Sequence, residues 1–479
     1  MKNILGRRSF LKTVGLAAAS AGAYSLLPSC TSVNQTAGAR KKWPNIIFIL
    51  ADDLGYGDLG CYGQTEIKTP SLDRMAAEGM LFTQHYAGST VCAPSRCVLL
   101  TGLHTGHSRI RGNSPALMKP GDITVAKILK YAGYVTGAIG KWGVGHPPPL
   151  SDPAHNGFDY FFGYLNMVHA HNYYPEFLWR NERKVKLRNV VEYTKRGYAK
   201  GVGGVSTNKL DYSHDFFTKE ALEFIDKNKN SPFFLYLPYT IPHANNQAGR
   251  KGMEVPDYGI YKDKDWPEPQ KGHAAMITRM DRDIGKLLAR LKQLRIDKNT
   301  LVMFSSDNGP HKESGADPDF FDSNGPLRGI KRDLYEGGIR VPLIARWPGK
   351  IKAGSVTDHV SAFWDFLPTC ANLAGLIPPE AIDGISMLPT LMGQPEKQKK
   401  HEFLYWEFHE RGGKQAVRMG DFKAVRLNVR KNPNGPLELY DLKNDIAEKH
   451  NIAAQYPDVI ARIRAYLKTA RTDSPNWPV

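Results

Sequence analysis

Residues 45–50 read Asn-Ile-Ile-Phe-Ile-Leu, an apolar run that no polar residue interrupts after its first position. A strand with one solvated face would alternate polar and apolar residues, so this run predicts a strand buried on both faces. Apolar, β-branched runs recur at 134–139, 233–237 and 301–305, and helical periodicity follows such runs. The sequence therefore predicts an α/β fold in which helices flank a large, doubly wound mixed sheet of mostly parallel strands.

Helical and C-terminal segments extend this pattern. Apolar residues at three- and four-residue spacing between residues 276 and 294 predict a long amphipathic helix, and residues 124–131 predict a shorter one. From about residue 395 the chain changes to short alternating runs followed by a closing helix, which predicts a small antiparallel sheet packed by a helix. We expect a main domain over residues 42–390 and a C-terminal α+β subdomain over residues 395–479.

The amino terminus has the composition of an export signal. Residues 7–12 read Arg-Arg-Ser-Phe-Leu-Lys, and a weakly apolar run follows from Val14 to Leu27. This run is too short and too rich in alanine and glycine to span a membrane. The paired arginines are typical of a twin-arginine signal, and Cys30 ends a Leu-Pro-Ser-Cys sequence that resembles a lipobox, in which proline is unusual. We expect residues 1–30 to direct export to the periplasm or the outer surface. Lipidation of Cys30, with a lipid anchor to the membrane, stays open beside an unlipidated form.

Residues 92–102, Cys-Ala-Pro-Ser-Arg-Cys-Val-Leu-Leu-Thr-Gly, carry the most chemical information. Pro94 predicts a helix start with the proline at the first helical position, so Cys92 would lie where free backbone N–H groups and the helix dipole attract an anion. Arg96, one turn inside, adds a guanidinium group that suits a tetrahedral oxyanion. A buried cysteine before an ordinary helix is the alternative for Cys-x-Pro alone. Three other cysteines have no disulfide or metal spacing, and we expect them to be buried apolar residues: Cys61, Cys97 and Cys370.

Acidic residues follow two of the predicted strands. Asp52 and Asp53 close the first strand, and Asp307 and Asn308 follow the strand at 301–305. In open α/β sheets the carboxyl ends of the strands meet at one edge, where binding sites form. Adjacent carboxylates repel each other unless a cation lies between them, so the two pairs indicate a hard divalent cation. Turns or helix caps are the alternative for each dipeptide taken alone.

Basic residues lie in short motifs further along the chain. Lys141 belongs to Gly-Lys-Trp and His243 to Ile-Pro-His-Ala, and each motif follows a predicted strand. Lys331 lies in a segment that continues to Glu-Gly-Gly at residues 336–338. Taken singly, each of these residues would be a surface lysine or a structural histidine.

Together these motifs resemble those of the formylglycine-dependent type I sulfatases, arylsulfatase-like enzymes of the alkaline phosphatase superfamily. The motifs occur in the same order in this chain, and the resemblance covers roughly residues 43–350. It implies that the domain over residues 42–390 is catalytic and that a maturation enzyme converts Cys92 to formylglycine, whose hydrate is the nucleophile. It further implies a calcium ion that is bound by residue 92 and four others: Asp52, Asp53, Asp307 and Asn308.

The resemblance also implies roles for the basic residues. Arg96, Lys141 and Lys331 would balance the charge that grows on the sulfate oxygens. His243 would protonate the departing alcohol, which a ring with the ordinary pKa of about 6.5 can do at neutral pH. The family motif commonly reads Gly-Lys-Trp-His-Leu-Gly, whereas Gly143 replaces its histidine in this chain.

Other histidines are candidates for the role of the missing one. His169 and His171 lie in an aromatic stretch, His-Ala-His-Asn-Tyr-Tyr, and we expect one of them to replace it or to bind the sugar. His104 and His311 are further candidates for substrate binding, and His146 lies three residues after the altered position. A structural role is the alternative for each of them.

The predicted function is hydrolysis of sulfate esters on sulfated carbohydrates after export. The formal net charge of +17 favours polyanionic partners, with a generally basic surface as the alternative. The sequence has no nucleic-acid-binding motif, which argues against a nucleic-acid partner. Two other functions stay open: a phosphomonoester or phosphonate-ester hydrolase on the same scaffold, and a non-catalytic protein that binds sulfated glycans with an unconverted Cys92.

Overall fold

The computed structural model describes residues 43–113, 116–145, 151–193 and 203–478. The predicted export signal with Cys30, and His146, lie outside these ranges. Within them, we find no helix whose length and apolar character would let it cross a bilayer.

A mixed β-sheet forms the centre of the molecule. In chain order the strands are β1 Asn45–Ala51, β2 Met80–Phe82, β3 His85–Tyr86, β4 Val135–Lys141, β5 Tyr160–Tyr164, β6 Phe177–Arg180, β7 Arg183–Lys186, β8 Val190–Glu192, β9 Val205–Asn208, β10 Phe233–Pro238, β11 Thr300–Ser306, β12 Leu343–Arg346, β13 Ser355–Thr357, β14 Ser361–Ala362, β15 Leu404–Phe408, β16 Lys414–Met419, β17 Phe422–Leu427 and β18 Glu438–Asp441. Over the described residues, ten of them form one sheet in the order β13-β2-β12-β11-β1-β10-β4-β5-β6-β7. Strands β11, β1, β10, β4 and β5 are parallel, whereas β12 and β6 run antiparallel to their neighbours. The predicted mixed sheet is confirmed.

Strand β1 lies in the middle of this sheet, and all of its residues are buried. Phe48 and Leu50 belong to the hydrophobic cluster on one face, and Ile47 and Ile49 to the cluster on the other. Because both faces are covered, neither set of alternating positions meets water. This arrangement confirms the prediction made from the uninterrupted apolar run.

Helices cover both faces of the sheet. They are α1 Pro70–Ala77, α2 Cys92–Thr101, α3 Val125–Tyr131, α4 Ser213–Asn228, α5 Glu268–Gln293, α6 Glu336–Ile339, α7 Phe366–Leu373, α8 Leu388–Leu391 and α9 Pro457–Leu467. Residues of α2, α3 and α7 pack on one face, and residues of α1, α4 and α5 on the other. The long predicted helix is confirmed as α5, which begins earlier than predicted because prolines fit the first turn of a helix.

The C-terminal part of the chain forms the expected small sheet. Strands β15 to β18 are antiparallel and consecutive. Trp406 and Val425 on one face join the core that contains α2, whereas Tyr405 on the other face packs with Ile463 and Leu467 of α9. The predicted antiparallel sheet with a helix is confirmed.

Of the three cysteines expected in the core, Cys97 and Cys370 are buried. The expectation is wrong for Cys61, which is only half-buried. Cys61 lies in a short 3-10 helix, Gly60–Tyr62, where its backbone N–H donates to Asp73 Oδ1 over 2.8 Å.

Candidate active site

Two strand ends bring the acidic pairs together. The last residues of β1 and β11 are paired in the parallel register, so the residues after them begin adjacent loops at one edge of the sheet. The backbone N–H of Asp53 donates to Asp307 Oδ1 over 3.1 Å, and Asn308 Nδ2 donates to Asp53 Oδ1 over 2.7 Å. Asp53 has a left-handed backbone with φ of 67°, a strained conformation that is typical of functional sites.

Cys92 is the first residue of α2 and is 2% exposed. The predicted position of Pro94 is wrong, because it is the third residue of the helix and not the first. Proline is tolerated there since the first N–H groups of a helix have no partner one turn earlier. Cys92 Sγ lies 3.7 Å from Asn113 Oδ1 and 3.4 Å from Met167 Sδ. Burial raises the pKa of the Cys92 thiol, so an unmodified cysteine here would be a poor nucleophile.

The guanidinium of Arg96 joins α2 to the strand ends. Its Nε and Nη2 atoms donate to Asp307 Oδ2 over 3.0 and 2.8 Å, and Nη1 donates to the backbone carbonyl of Lys141 over 2.8 Å. Nη2 also lies 3.4 Å from Asp52 Oδ2. Burial would lower the pKa of Arg96, but Asp307 and Asp52 raise it above its ordinary value. The group is therefore a fixed positive charge one turn from Cys92.

Two buried lysines add positive charge to the same site. Lys141 Nζ donates to Asp52 Oδ2 over 2.6 Å, and Lys331 Nζ donates to Asp53 Oδ2 over 2.7 Å. Lys331 Nζ also lies 3.1 Å from His243 Nε2. The structure thus brings together the three cations that the sequence assigned to one site.

The oxygen atoms at the strand ends suit a hard divalent cation. Asp52 Oδ1 and Asn308 Oδ1 are buried and have no hydrogen-bond partner among the described residues. One ligand atom each of Asp52, Asp53 and His243 lie within 4.8 Å of one another. Burial, with the charge of Asp52, raises the pKa of Asp307 to about 7 although Arg96 lowers it, so a further cation here would favour the ionised carboxylate. Apart from the ring of His243, these groups offer oxygen ligands, which calcium prefers.

His243 is a neutral ring in this environment. Burial and the charge of Lys331 lower the pKa of His243 well below its ordinary value. Its Nδ1 lies 2.7 Å from the carbonyl oxygen of Ala244 and so carries the proton, which leaves Nε2 to accept from Lys331. The expectation of an ordinary pKa is therefore wrong. Within this pair, Lys331 holds the proton that faces the pocket.

Two of the four histidines expected to bind substrate lie beside His243. His171 stacks on it with ring centroids 4.5 Å apart, and its buried Nδ1 has no hydrogen-bond partner within the described part of the chain. The ring of His311 lies 5.8 Å from that of His243. Nε2 of His311 lies 3.3 Å from the Pro242 carbonyl, and its Nδ1 accepts from the backbone of Glu313 over 3.1 Å. Of these two rings, only that of His171 has a buried nitrogen without a hydrogen-bond partner in the described residues, whereas one nitrogen of His311 lies within 4.8 Å of carboxylate oxygens of Asp53 and Glu313.

The other two histidines lie elsewhere, contrary to expectation. The ring of His169 packs against Tyr164 at 4.9 Å and against Phe177 at 4.7 Å. His104 follows the far end of α2, a ten-residue helix of about 15 Å in length, and stacks on His107. His169 is therefore held by packing, whereas Nδ1 of His104 also accepts from the backbone of Gly106 over 3.1 Å and its Nε2 lies 3.6 Å from Asp383 Oδ1.

Position 143 lies beside two of the site's cations although it carries no side chain. Gly143 has φ of 72°, and a Cβ there would lie 3.5 Å from Lys141 Cγ and 3.6 Å from Arg96 Cδ. The absence of the family histidine therefore leaves space next to two of the site's cations.

Two polar residues of the site were not predicted from the sequence. Asn113 Oδ1 accepts from the backbone of Ala93 over 3.3 Å, beside the thiol of Cys92. Glu313 Oε2 lies 3.5 Å from Lys331 Nζ. The position of Glu313 shortly after the end of β11 was a usable signal, whereas no motif surrounds Asn113.

Comparisons with known proteins match this geometry. The sulfatase family matches residues 44–376, and the family described as N-sulphoglucosamine sulphohydrolase, C-terminal, matches residues 330–473. The N-acetylgalactosamine-6-sulfatase of Canis lupus familiaris is 34% identical over 85% of this chain and 76% of its own length. The N-acetylgalactosamine-6-O-sulfatase of Bacteroides thetaiotaomicron is 30% identical over 94% of this chain and 97% of its own.

A solved structure agrees with these relatives. The crystal structure of Ps i-CgsB in complex with k-i-k-neocarrahexaose superposes with a TM-score of 0.76 and 30% sequence identity, over 91% of this chain and 95% of that chain. The family match extends over more than half of the sequence and includes every strand end that carries a charged residue of the site. The chain therefore belongs to the type I sulfatases of the alkaline phosphatase superfamily and is a sulfuric ester hydrolase.

Proposed function

We propose that this sulfatase releases sulfate from sulfated carbohydrates, with a formylglycine derived from Cys92 as its nucleophile. The observation that carries the proposal is the convergence of three buried cations, Arg96, Lys141 and Lys331, on the helix end that bears residue 92. Such a cluster suits an ester with a compact, multiply oxygenated anion. The names of two similar proteins, both N-acetylgalactosamine-6-sulfatases, support a sugar as the alcohol.

The chain's own residues supply binding and proton transfer in this proposal. Arg96 and Lys141 hold the sulfate oxygens and balance the charge that develops as the sulfur–oxygen ester bond breaks. Lys331 gives its proton to the departing alcohol, and His243 orients the ammonium through Nε2. As a hydrated aldehyde, residue 92 would supply two hydroxyl groups on one carbon, one to attack sulfur and one whose deprotonation expels the bound sulfate.

The proposal also includes a calcium ion beside the modified residue 92. The residues that would hold it are Asp52, Asp53, Asp307 and Asn308, because they combine carboxylate charge with two buried oxygens that no other described residue hydrogen-bonds. The ion would supply positive charge that lowers the pKa of the attacking hydroxyl and offsets the charge of the sulfate group.

Two measurements test the proposed function. Conversion of Cys92 to formylglycine lowers the mass of the peptide that contains it by about 18 Da, and we expect this change in native material. Release of free sulfate from N-acetylgalactosamine 6-sulfate and a panel of other sulfated sugars is then compared with release of phosphate from phosphomonoesters. A faster release of phosphate would instead indicate a phosphomonoester or phosphonate-ester hydrolase on the same scaffold. A retained thiol without any turnover would favour a non-catalytic glycan-binding protein.

We also propose that the protein is exported before it acts. The proposal rests on the twin-arginine sequence at residues 7–12 and on the lipobox-like position of Cys30, both outside the described residues. A twin-arginine route transports folded proteins, which allows the maturation enzyme to modify Cys92 in the cytoplasm. Fractionation of cells that express the full chain and its Arg7→Lys/Arg8→Lys variant tests the location. Labelling with a fatty-acid analogue tests the anchor, because a lipidated parent chain takes up the label and its Cys30→Ser variant does not.

A further inference from the structure

Two lysines on the outermost strand lie on the same side of the sheet as the nucleophile's helix. Strand β7 is an edge of the ten-stranded sheet of the described residues, and Lys184 and Lys186 flank Val185 on it. Val185 packs against the hydrophobic cluster on the face of the sheet opposite to α2. Because neighbouring side chains on a strand point to opposite faces, both lysines project from the face of α2. Trp179 and Met167 pack on that same face.

The register of the sheet gives the distance from these lysines to the pocket. Lys184 lies opposite Trp179, Trp179 lies opposite Gly163, and Gly163 is beside Gly140, which directly precedes Lys141. Three strand spacings of about 4.8 Å place Lys184 roughly 14 Å across the sheet from the catalytic strand β4. A monosaccharide in the pocket would not reach that far, whereas an oligosaccharide that extends from it would.

Aromatic rings connect Lys184 to the pocket wall. Its Nζ lies 4.4 Å from the ring centroid of Phe177 and 5.5 Å from that of Trp179, so cation–π attraction restrains the ammonium. Phe177 packs on His169, which belongs to the same turn as His171. His171 in turn stacks on the ring of the active-site histidine. Ring contacts and one short turn therefore link Lys184 to the active-site histidine.

The charges of both lysines are exposed and unpaired. No carboxylate of the described residues forms an ion pair with Lys184 or Lys186, although the neighbouring Arg180 is paired with Glu220. Side chains two positions apart on a strand are about 7 Å apart, so the two ammonium groups can hold one anion between them. Exposed positive charge also raises the local concentration of anionic substrate.

We propose that Lys184 and Lys186 form a secondary anion site, which binds a sulfate group on a neighbouring sugar of the same chain whose ester is cleaved at residue 92. The inference rests on the proposed function and assigns its substrate class as an oligosaccharide with more than one sulfate group. The competing explanation is that charges on β7 only prevent other strands from pairing with this edge.

Binding measurements decide between these explanations. The probe is fluorescein-labelled dextran sulfate fragments at low ionic strength, and the parent protein carries Cys92→Ala so that it cannot turn over a substrate. We expect Lys184→Ala/Lys186→Ala to weaken binding about tenfold. The matched control is Lys350→Ala/Lys352→Ala, which removes the same charge beside the opposite edge strand β13. We expect the control to weaken binding less than about twofold. Equal effects of the two pairs, or no effect of the first, would overturn the proposal.

Turnover of substrates of different length gives an independent readout. The ratio of kcat/KM for a sulfated tetrasaccharide to kcat/KM for the corresponding sulfated monosaccharide is the quantity measured. We expect Lys184→Ala/Lys186→Ala to lower this ratio about tenfold, because KM for the tetrasaccharide rises. Lys184→Arg/Lys186→Arg should restore the ratio, because it restores the charge. An unchanged ratio in the alanine variant would contradict the anion site. Absence of turnover of every substrate by the unmodified protein would count against the proposed function, and the binding comparison would still decide the anion site.

Discussion

Lys331 donates a hydrogen bond from Nζ to Nε2 of His243 over 3.1 Å, while Nδ1 of the same ring donates to the Ala244 carbonyl. The ring's own proton therefore points away from the pocket. Asp53 and Glu313 lie 2.7 and 3.5 Å from the same ammonium and keep it positively charged. Within this pair Lys331 is thus the donor and the ring of His243 the acceptor, which fixes the direction of the ammonium.

The first prediction concerns this proton. We expect Lys331→Ala to reduce turnover of a sugar sulfate about 100-fold more than turnover of 4-nitrophenyl sulfate, because a sugar alkoxide needs a proton to leave and 4-nitrophenolate does not. Initial rates of sulfate release with the two esters measure the ratio. The control is Lys312→Ala, which removes an exposed lysine that pairs with Asp317. Equal losses with both esters would show that Lys331 contributes only charge.

The second prediction separates the charge of Arg96 from its geometry. Arg96→Lys keeps the positive charge but cannot make the three donations to Asp307 and to the Lys141 carbonyl. We expect kcat to fall about 100-fold and the free energy of unfolding to fall by about 1–3 kcal/mol, since a buried acceptor is left unpaired. Steady-state kinetics and urea denaturation measure the two effects. Nearly normal kcat in the folded variant would contradict the role of the guanidinium.

The third prediction addresses the metal. We expect Asp307→Ala to abolish turnover with little change in the circular dichroism spectrum, because it removes a carboxylate from the cluster at the strand ends. After a chelator has removed bound metal, added calcium should raise the Tm of the parent protein, because calcium binds preferentially to the folded state. It should not raise the Tm of the variant. Asp317→Ala, at a partly exposed carboxylate, is the control. A calcium-dependent rise in Tm that persists in Asp307→Ala would remove this residue from the metal site.

The sequence was most informative where burial constrains whole segments. An internal parallel strand such as β1 is apolar along nearly its whole length, so its apolar run at residues 46–51 could be recognised without its neighbours. The acidic pairs after β1 and β11 could be placed at one edge because parallel strands carry their ends to the same side. Strand β7 could not be recognised, since its sequence Arg-Lys-Val-Lys has one apolar residue and belongs to an edge.

Other features of the site depend on contacts between distant segments. The low pKa of His243 results from its burial beside Lys331, which lies 88 positions away in the chain. Likewise, Asn113 reaches the amino-terminal end of α2 only because its loop packs there. His171 and His169 are two residues apart, yet only His171 stacks on the ring of His243, because the short helical turn directs the two rings differently. No periodicity or motif encodes these relationships.

The last prediction uses the ion cluster that joins the C-terminal sheet to the loop before Asn113. Glu407 on β15 accepts from Arg111 Nη1 and from Arg471 Nε, each over 2.9 Å. Burial would raise the pKa of Glu407, but His409, Arg111 and Arg471 lower it to about 2. In the unfolded chain the ordinary pKa is about 4.3, so the charge of Glu407 stabilises the fold above that pH and this stabilisation is lost as the pH falls towards 2.

Replacement of the Glu407 carboxylate tests the direction of this pH dependence of stability. We expect Glu407→Gln to lower the free energy of unfolding by about 3 kcal/mol at pH 7, because the nearly isosteric amide leaves Arg111 buried without its counter-ion. The difference from the parent protein should shrink as the pH falls below about 4.3, since the parent then loses the same charge. Urea denaturation at several pH values between 7 and 3 measures both quantities. A difference that stays constant over this range would mean that the shape of Glu407, and not its charge, holds the small sheet against the catalytic core.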